Sequence, residues 1–307
     1  MDGEDILKIS RKITKDEILE EFRGIGDLLL TKAKNGDTKK LASFLNRSIQ
    51  AHKVSLITQA QQKGIEKGWE NYEFLHVILL LTHAANVVML EYRNRVWKYD
   101  YMAFSRRIGE LWEPFCKLCW ALPVGRKITF FDPPTYGDVK DIITGGVVDF
   151  LNTTSLILSE KEEIFKYFDL IWELVASGDI QLKSDLHFES NGAHYNIDFK
   201  SGFGSNEKGN TNRLLMVGSI YKKLNSNYNN IILVRAVEEE NNNYLQTLKK
   251  SGVWTVYCGD QTYKQIEDLT GFPLKKWIMQ NITWENDIEP ETMQYLCESN
   301  LAQYLKW

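Results

Sequence analysis

Apolar positions recur with helical spacing through the first half of the chain and predict helices over 16–30, 39–63, 66–89 or beyond, and 101–122. Residues 74–90 carry no charge and are strongly apolar. At that length the run reads as a buried central helix rather than a membrane span, with His76 and His83 as core or boundary histidines. Glycine and proline accumulate between 123 and 146, which reads as loop with a short strand. A further amphipathic helix is expected over 161–176, where Ile164, Phe168, Ile171, Trp172 and Val175 form one stripe opposite Glu162, Lys166, Asp169 and Glu173.

Beyond residue 177 the period changes. Two strand-like segments, 178–188 and 193–201, flank Glu189-Ser190-Asn191-Gly192, and an Asn-Gly pair between such segments signals a hairpin. A helix over 209–224, a strand over 230–237, a helix over 242–250 and a strand over 253–258 follow. Strands separated by helices imply a parallel element beside the antiparallel hairpin. The expected class is therefore α/β (α+β), a mixed sheet flanked by helices behind a large, mainly helical N-terminal region. The expected division is 1–155 for that region, 156–275 for the sheet core and 276–307 for a helical extension.

Chemistry concentrates on the hairpin. Alternation puts Asp198 and Lys200 on one face, with Ile197 and Phe199 on the other, and pairing brings Asp185 close to Asp198. Converging carboxylates suit a hard cation such as Mg2+, and a neighbouring ammonium helps to position or activate a water for attack on a phosphodiester. The same residues also suit an exposed hairpin whose Asp and Lys form an ordinary surface pair.

The residues and their order resemble the PD-(D/E)xK nuclease superfamily, whose core runs αβββαβ and whose motif is an acid on one strand followed by acid-x-Lys on the next. Here the motif reads Ser184-Asp185 and Asp198-Phe199-Lys200, with serine where the superfamily usually has proline. The resemblance spans roughly residues 162–260. It implies a restriction-endonuclease-like core, with Asp185 and Asp198 as metal ligands, Lys200 as the catalytic lysine, and Mg2+ as cofactor, for which Mn2+ could substitute. Several members add an acid from the preceding helix, and Glu173 is the candidate; its alternative is a solvated helix face. A free-standing chain of this build looks like a type II restriction endonuclease, a homodimer acting on double-stranded DNA. The other readings are a repair, recombination or phage-defence nuclease and a non-catalytic DNA-binding protein of the same fold.

Residues 201–213 follow the motif strand directly, and their glycines and small polar residues suit a mobile loop leading into a helix N-terminus that attracts anions. Lys208, Asn212 and Arg213 are its candidate DNA contacts. Arg93, Arg95, Arg106 and Arg107 form the densest basic stretch of the first half and read either as a DNA-backbone surface or as a solvated helix face. The net charge of -4 excludes a generally polybasic chain but leaves room for a basic cleft.

Two minor motifs change little. Phe130-Phe131-Asp132-Pro133-Pro134-Thr135 resembles an amino-methyltransferase signature, but threonine replaces its aromatic residue and no good donor-binding turn accompanies it. Cys116 and Cys119 form a single C-x-x-C without partners, so free thiols are expected. The acidic start Met1-Asp2-Gly3-Glu4-Asp5 lacks a secretory pattern, and the expected compartment is the cytoplasm.

Overall fold

The computed structural model describes residues 9–32, 37–175, 182–204, 207–224 and 227–307. They form two compact units, one of residues 1–127, 234–237 and 258–307, the other of residues 128–233 and 238–257. This differs from the expected three-part division, because the C-terminal helices belong with the N-terminal ones and the second unit begins before residue 155.

The first unit is helical. Helices α1 (Lys15–Lys32), α2 (Thr38–Lys67), α3 (Asn71–Val96) and α4 (Tyr101–Ala121) fall where the apolar periodicity put them. Every residue of α3 from Val77 to Asn94 is buried, so the apolar run is a core helix; 83% of its most apolar window lies inside the protein. Two of its polar members meet partners from α1 and from the C-terminal helices. His83 Nε2 lies 2.8 Å from Asp287 Oδ2, and the fully buried Glu91 accepts two bonds from Arg23 and one from the Glu289 amide. Burial pushes the Asp287 carboxyl up, but hydrogen bonds from His83 and Lys15 outweigh it and hold the group below its ordinary value. His76 and His83 are core or boundary histidines as expected: His76 accepts a bond from Trp277 Nε1 at 2.9 Å, while His83 is partnered at Nε2 and its buried Nδ1 has no protein partner among the described residues. Cys116 and Cys119 are buried free thiols on α4.

The second unit contains a five-stranded mixed sheet in the order β1-β2-β3-β4-β5. Its strands are β1 (Thr129–Phe130), β2 (Leu186–Ser190), β3 (Ala193–Lys200), β4 (Tyr228–Val234) and β5 (Thr255–Cys258). The intervening helices are α5 (Tyr136–Thr153), α6 (Leu158–Val175), α7 (Lys208–Leu224) and α8 (Asn243–Lys250). β1 and β3 both pair antiparallel with β2. Cross-strand bonds ascend together from Asn196 to Asn230 and from His194 to Asn227, placing β4 alongside β3 with α7 as the crossover. α9 (Asp260–Thr270), α10 (Leu274–Asn281), α11 (Trp284–Asp287) and α12 (Pro290–Glu298) return the chain to the first unit.

Four expectations need correction here. The strand preceding the hairpin comes from β1, upstream of both α5 and α6, so the order is not αβββαβ among the described residues. The expected first hairpin strand starts later, at Leu186, and the part of it between 178 and 181 lies outside the described residues. The supposed loop up to residue 146 holds the start of α5. Thr135 and Asp138 close a capping box there, Thr135 Oγ1 accepting from the Asp138 amide at 3.1 Å and the Thr135 amide donating back at 2.8 Å. The α6 stripe also divides: Phe168 and Trp172 meet edge to face, whereas Ile164 and Ile171 stand 42% and 58% exposed.

The hairpin turn is the two residues Asn191 and Gly192, with φ of 52° and 75°, the combination a type I′ turn requires. Gly192→Val should therefore lower stability by ~1–2 kcal/mol in a denaturant titration, whereas Asn191→Gly should change it by less than ~0.5 kcal/mol. A neutral valine variant would contradict this turn geometry.

Candidate active site

Register places the site. Leu186 pairs with Ile197 and His187 with Asn196, so Asp185, just before β2, lies beside Asp198. Asp185 Oδ2 accepts the Phe199 amide at 2.7 Å, which fixes its carboxylate against β3 where the ladder has ended. Asp198 follows two residues after Asn196 and shares its face with Lys200.

This face is covered, not open. α7 lies over it: Tyr221 packs on His187 at 5.3 Å between ring centroids, and Asn230 donates to the Gly218 carbonyl at 3.0 Å. Asp198 is consequently only 2% exposed. Two cations compensate it. The Lys200 ammonium pairs with Oδ1, and Arg213 Nη2, from the second turn of α7, lies 3.4 Å from Oδ2. Lys200 also donates to the Phe199 carbonyl at 3.2 Å. Burial pushes the Asp198 carboxyl up; Lys200 and Arg213 oppose that, the charge of Asp185 adds to it, and the net direction is upward.

The register sets the Asp185 and Asp198 carboxylates side by side, a pair of oxygen donors whose charge a further cation would offset. Among the described residues no group of three or more His, Cys, Asp or Glu converges. Two oxygens therefore fit an ion that completes its shell with water and substrate oxygens, as Mg2+ does, and do not fit a closed zinc site. Beside Asp185 a cavity of about 240 Å³ is lined by Phe130, Phe131, Asp132, Lys183, Ser184 and His187. Asp132, from the set-aside methyltransferase-like run, pairs there with Lys183 at 2.7 Å.

Several polar residues on this face were not singled out from sequence. His187 Nε2 accepts the Ser184 amide at 3.0 Å, a bond that proline at 184 could not supply. The His187 ring is buried, and burial first, then the charge of Lys183, push its pKa down to about 4. Asn196 donates to Asn230 Oδ1 at 3.0 Å, extending the polar ladder to β4. The signal was the same two-residue alternation that links Asp198 to Lys200.

Other candidates are dispersed. Glu173 lies on α6, but its side chain is outside the described residues. Lys208 and Asn212 are exposed on the first turns of α7, while the 201–204 stretch before it is anchored: the Phe203 amide donates to Asn241 at 2.7 Å and Asn242 to the Gly204 carbonyl at 2.6 Å. In the helical unit, Arg93 is buried between Trp97 and Tyr99, with its guanidinium 4.2 and 4.1 Å from their ring centroids. Arg95 pairs with Glu289 and Asp27, while Arg106 and Arg107 both pair with Glu110. A comparison with family models, curated proteins and solved structures finds no significant match to this chain.

The His187 environment has a consequence for pH. A histidine with a folded pKa near 4 and an unfolded value of about 6.5 is neutral in the fold, so its contribution to stability is full above the unfolded value. As pH falls through that window the unfolded chain takes up the proton first and stability drops, by at most ~3 kcal/mol. Unfolding free energies measured from pH 7 to 4 should show this loss in the wild type and a shallower slope in His187→Gln. Identical slopes would contradict the burial assigned to His187.

Proposed function

We propose that this chain is a Mg2+-dependent endodeoxyribonuclease that hydrolyses phosphodiester bonds of double-stranded DNA, acting as a type II restriction endonuclease. The reading is carried by one observation: Asp185, Asp198 and Lys200 meet on one hairpin face, with Arg213 reaching the same carboxylate from α7. Asp185 and Asp198 would hold the ion, which when bound supplies Lewis-acid stabilisation of the phosphoryl oxygens and a more acidic water. Lys200 is placed to orient a water and hold its proton balance beside Asp198. Arg213 is placed to turn its guanidinium from Asp198 to a phosphate, for which a bidentate donor fork is suited.

One such set serves one strand, so a double-strand break at a palindromic site calls for two copies. Apolar side chains left exposed on or beside α5 and α6, among them Phe150, Ile157, Leu158 and Ile171, support a homodimer, since surface of this kind on soluble proteins is ordinarily covered by a partner.

The decisive assay incubates purified protein with phage-length DNA and Mg2+ and maps the ends. Discrete fragments sharing a terminal sequence are expected, chelation should stop their formation, and Asp198→Asn and Lys200→Ala should each slow cleavage by at least ~100-fold. Asparagine is the informative replacement at 198 because it removes the charge while keeping the side-chain volume and one acceptor oxygen for Lys200 and Arg213. Cleavage near the wild-type rate by folded Asp198→Asn protein would remove the assignment.

A further inference from the structure

Within the helical unit a cavity of about 360 Å³ lies among α2, α3 and α4. Each helix presents a row at the spacing of one helical face: Asn46, Gln50 and Lys53 on α2, Thr82, Asn86 and Met89 on α3, and Arg107, Glu110, Leu111 and Pro114 on α4. Asn86 and Thr82 are 2% and 5% exposed, polar residues within the otherwise apolar run of α3. Among the described residues, Asn46 Oδ1, Thr82 Oγ1, Asn86 Nδ2 and Arg107 Nε have no protein hydrogen-bond partner. A buried polar group left unmade is costly, so four around one cavity are a sizeable burden unless something fills it.

The unmet groups define their ligand. Asn46 Oδ1 requires a donor, Asn86 Nδ2 and Arg107 Nε require acceptors, and the Thr82 hydroxyl serves as either. The lining also includes Arg47, so Arg47, Lys53 and Arg107 stand against the single carboxylate of Glu110, which already takes Arg106. Lys53 makes no ion pair among the described residues, and burial together with the charge of Arg107 disfavours its charged form, a conflict that an anion would relieve. Met89, Leu111 and Pro114 supply an apolar wall.

We propose that this cavity binds a small phosphomonoester of nucleoside monophosphate size, its phosphate on Lys53, Arg107 and Arg47 and its polar body on Asn46, Thr82 and Asn86. A dianion suits three cations, and the volume falls in the range of pockets that enclose small ligands, ~300–1,000 Å³. The proposal does not depend on the nuclease reading.

The test is calorimetric titration of the full chain with inorganic phosphate, with each of the four nucleoside 5′-monophosphates, and with a short DNA duplex. At least one nucleotide should bind saturably with Kd below ~1 mM, with phosphate competing more weakly. Lys53→Gln, which removes a half-buried cation and should fold at least as well as wild type, should weaken that binding by at least ~10-fold, or about 1.4 kcal/mol. Asn86→Ala should abolish the preference for nucleotide over phosphate. No saturable nucleotide binding, unchanged affinity in folded Lys53→Gln, or binding of duplex alone would each overturn the proposal.

Discussion

A carboxylate that is almost fully buried has to be compensated, and Asp198 sets that requirement at the centre of the sheet unit. Desolvating such a group costs several kcal/mol, and the fold meets the cost with two cations from different elements. Lys200 comes from the same strand face two residues on, and Arg213 comes from α7 across the sheet. The second contact depends on hairpin register: a slip of one residue would turn Asp198 and Lys200 together to the other face and away from Arg213. The type I′ turn at Asn191 and Gly192, the anchoring of Asp185 to the Phe199 amide and the packing of α7 over His187 therefore serve one arrangement.

That arrangement is also what the proposed chemistry rests on. Replacing a buried ion cluster with matched apolar residues is often neutral or stabilising, so a cluster of this kind is weak evidence for stability alone. Asp185 adds a second acid to a carboxylate that burial already holds toward its neutral form. Such sites are where function concentrates, because the charge conflict is relieved by what binds. The same logic runs through the helical unit, where the buried Glu91 is partnered by Arg23 and the Glu289 amide but Thr82 and Asn86, in the row of α3 facing α2 and α4, leave polar atoms unmatched.

Much of this was legible from residue order. Helical periodicity located α1 to α4 closely, the Asn-Gly pair located the turn, and alternation placed Asp198 with Lys200. What was not legible depends on partners far away in sequence. β1 pairs with β2 across two helices, and the Thr135 to Asp138 cap that starts α5 was obscured by nearby proline and glycine. The burial of Asp198 follows from α7 folding over the sheet, which no local pattern encodes. Likewise the match of His83 with Asp287 spans 204 residues and decides that the C-terminal helices join the first unit.

The proposed function requires the Asp185 and Asp198 pair to be a cation site and not merely a structural ion cluster. The most direct measurement is the thermal unfolding midpoint at constant ionic strength as Mg2+ or Mn2+ is raised, for wild type and Asp198→Asn. A cation site gives a saturable rise in the wild type, equivalent to about 2.7 kcal/mol at a hundredfold excess over Kd, and none in a folded variant of similar basal stability. A midpoint indifferent to both ions, with the variant destabilised by the ~3–5 kcal/mol expected for a broken buried pair, would contradict it.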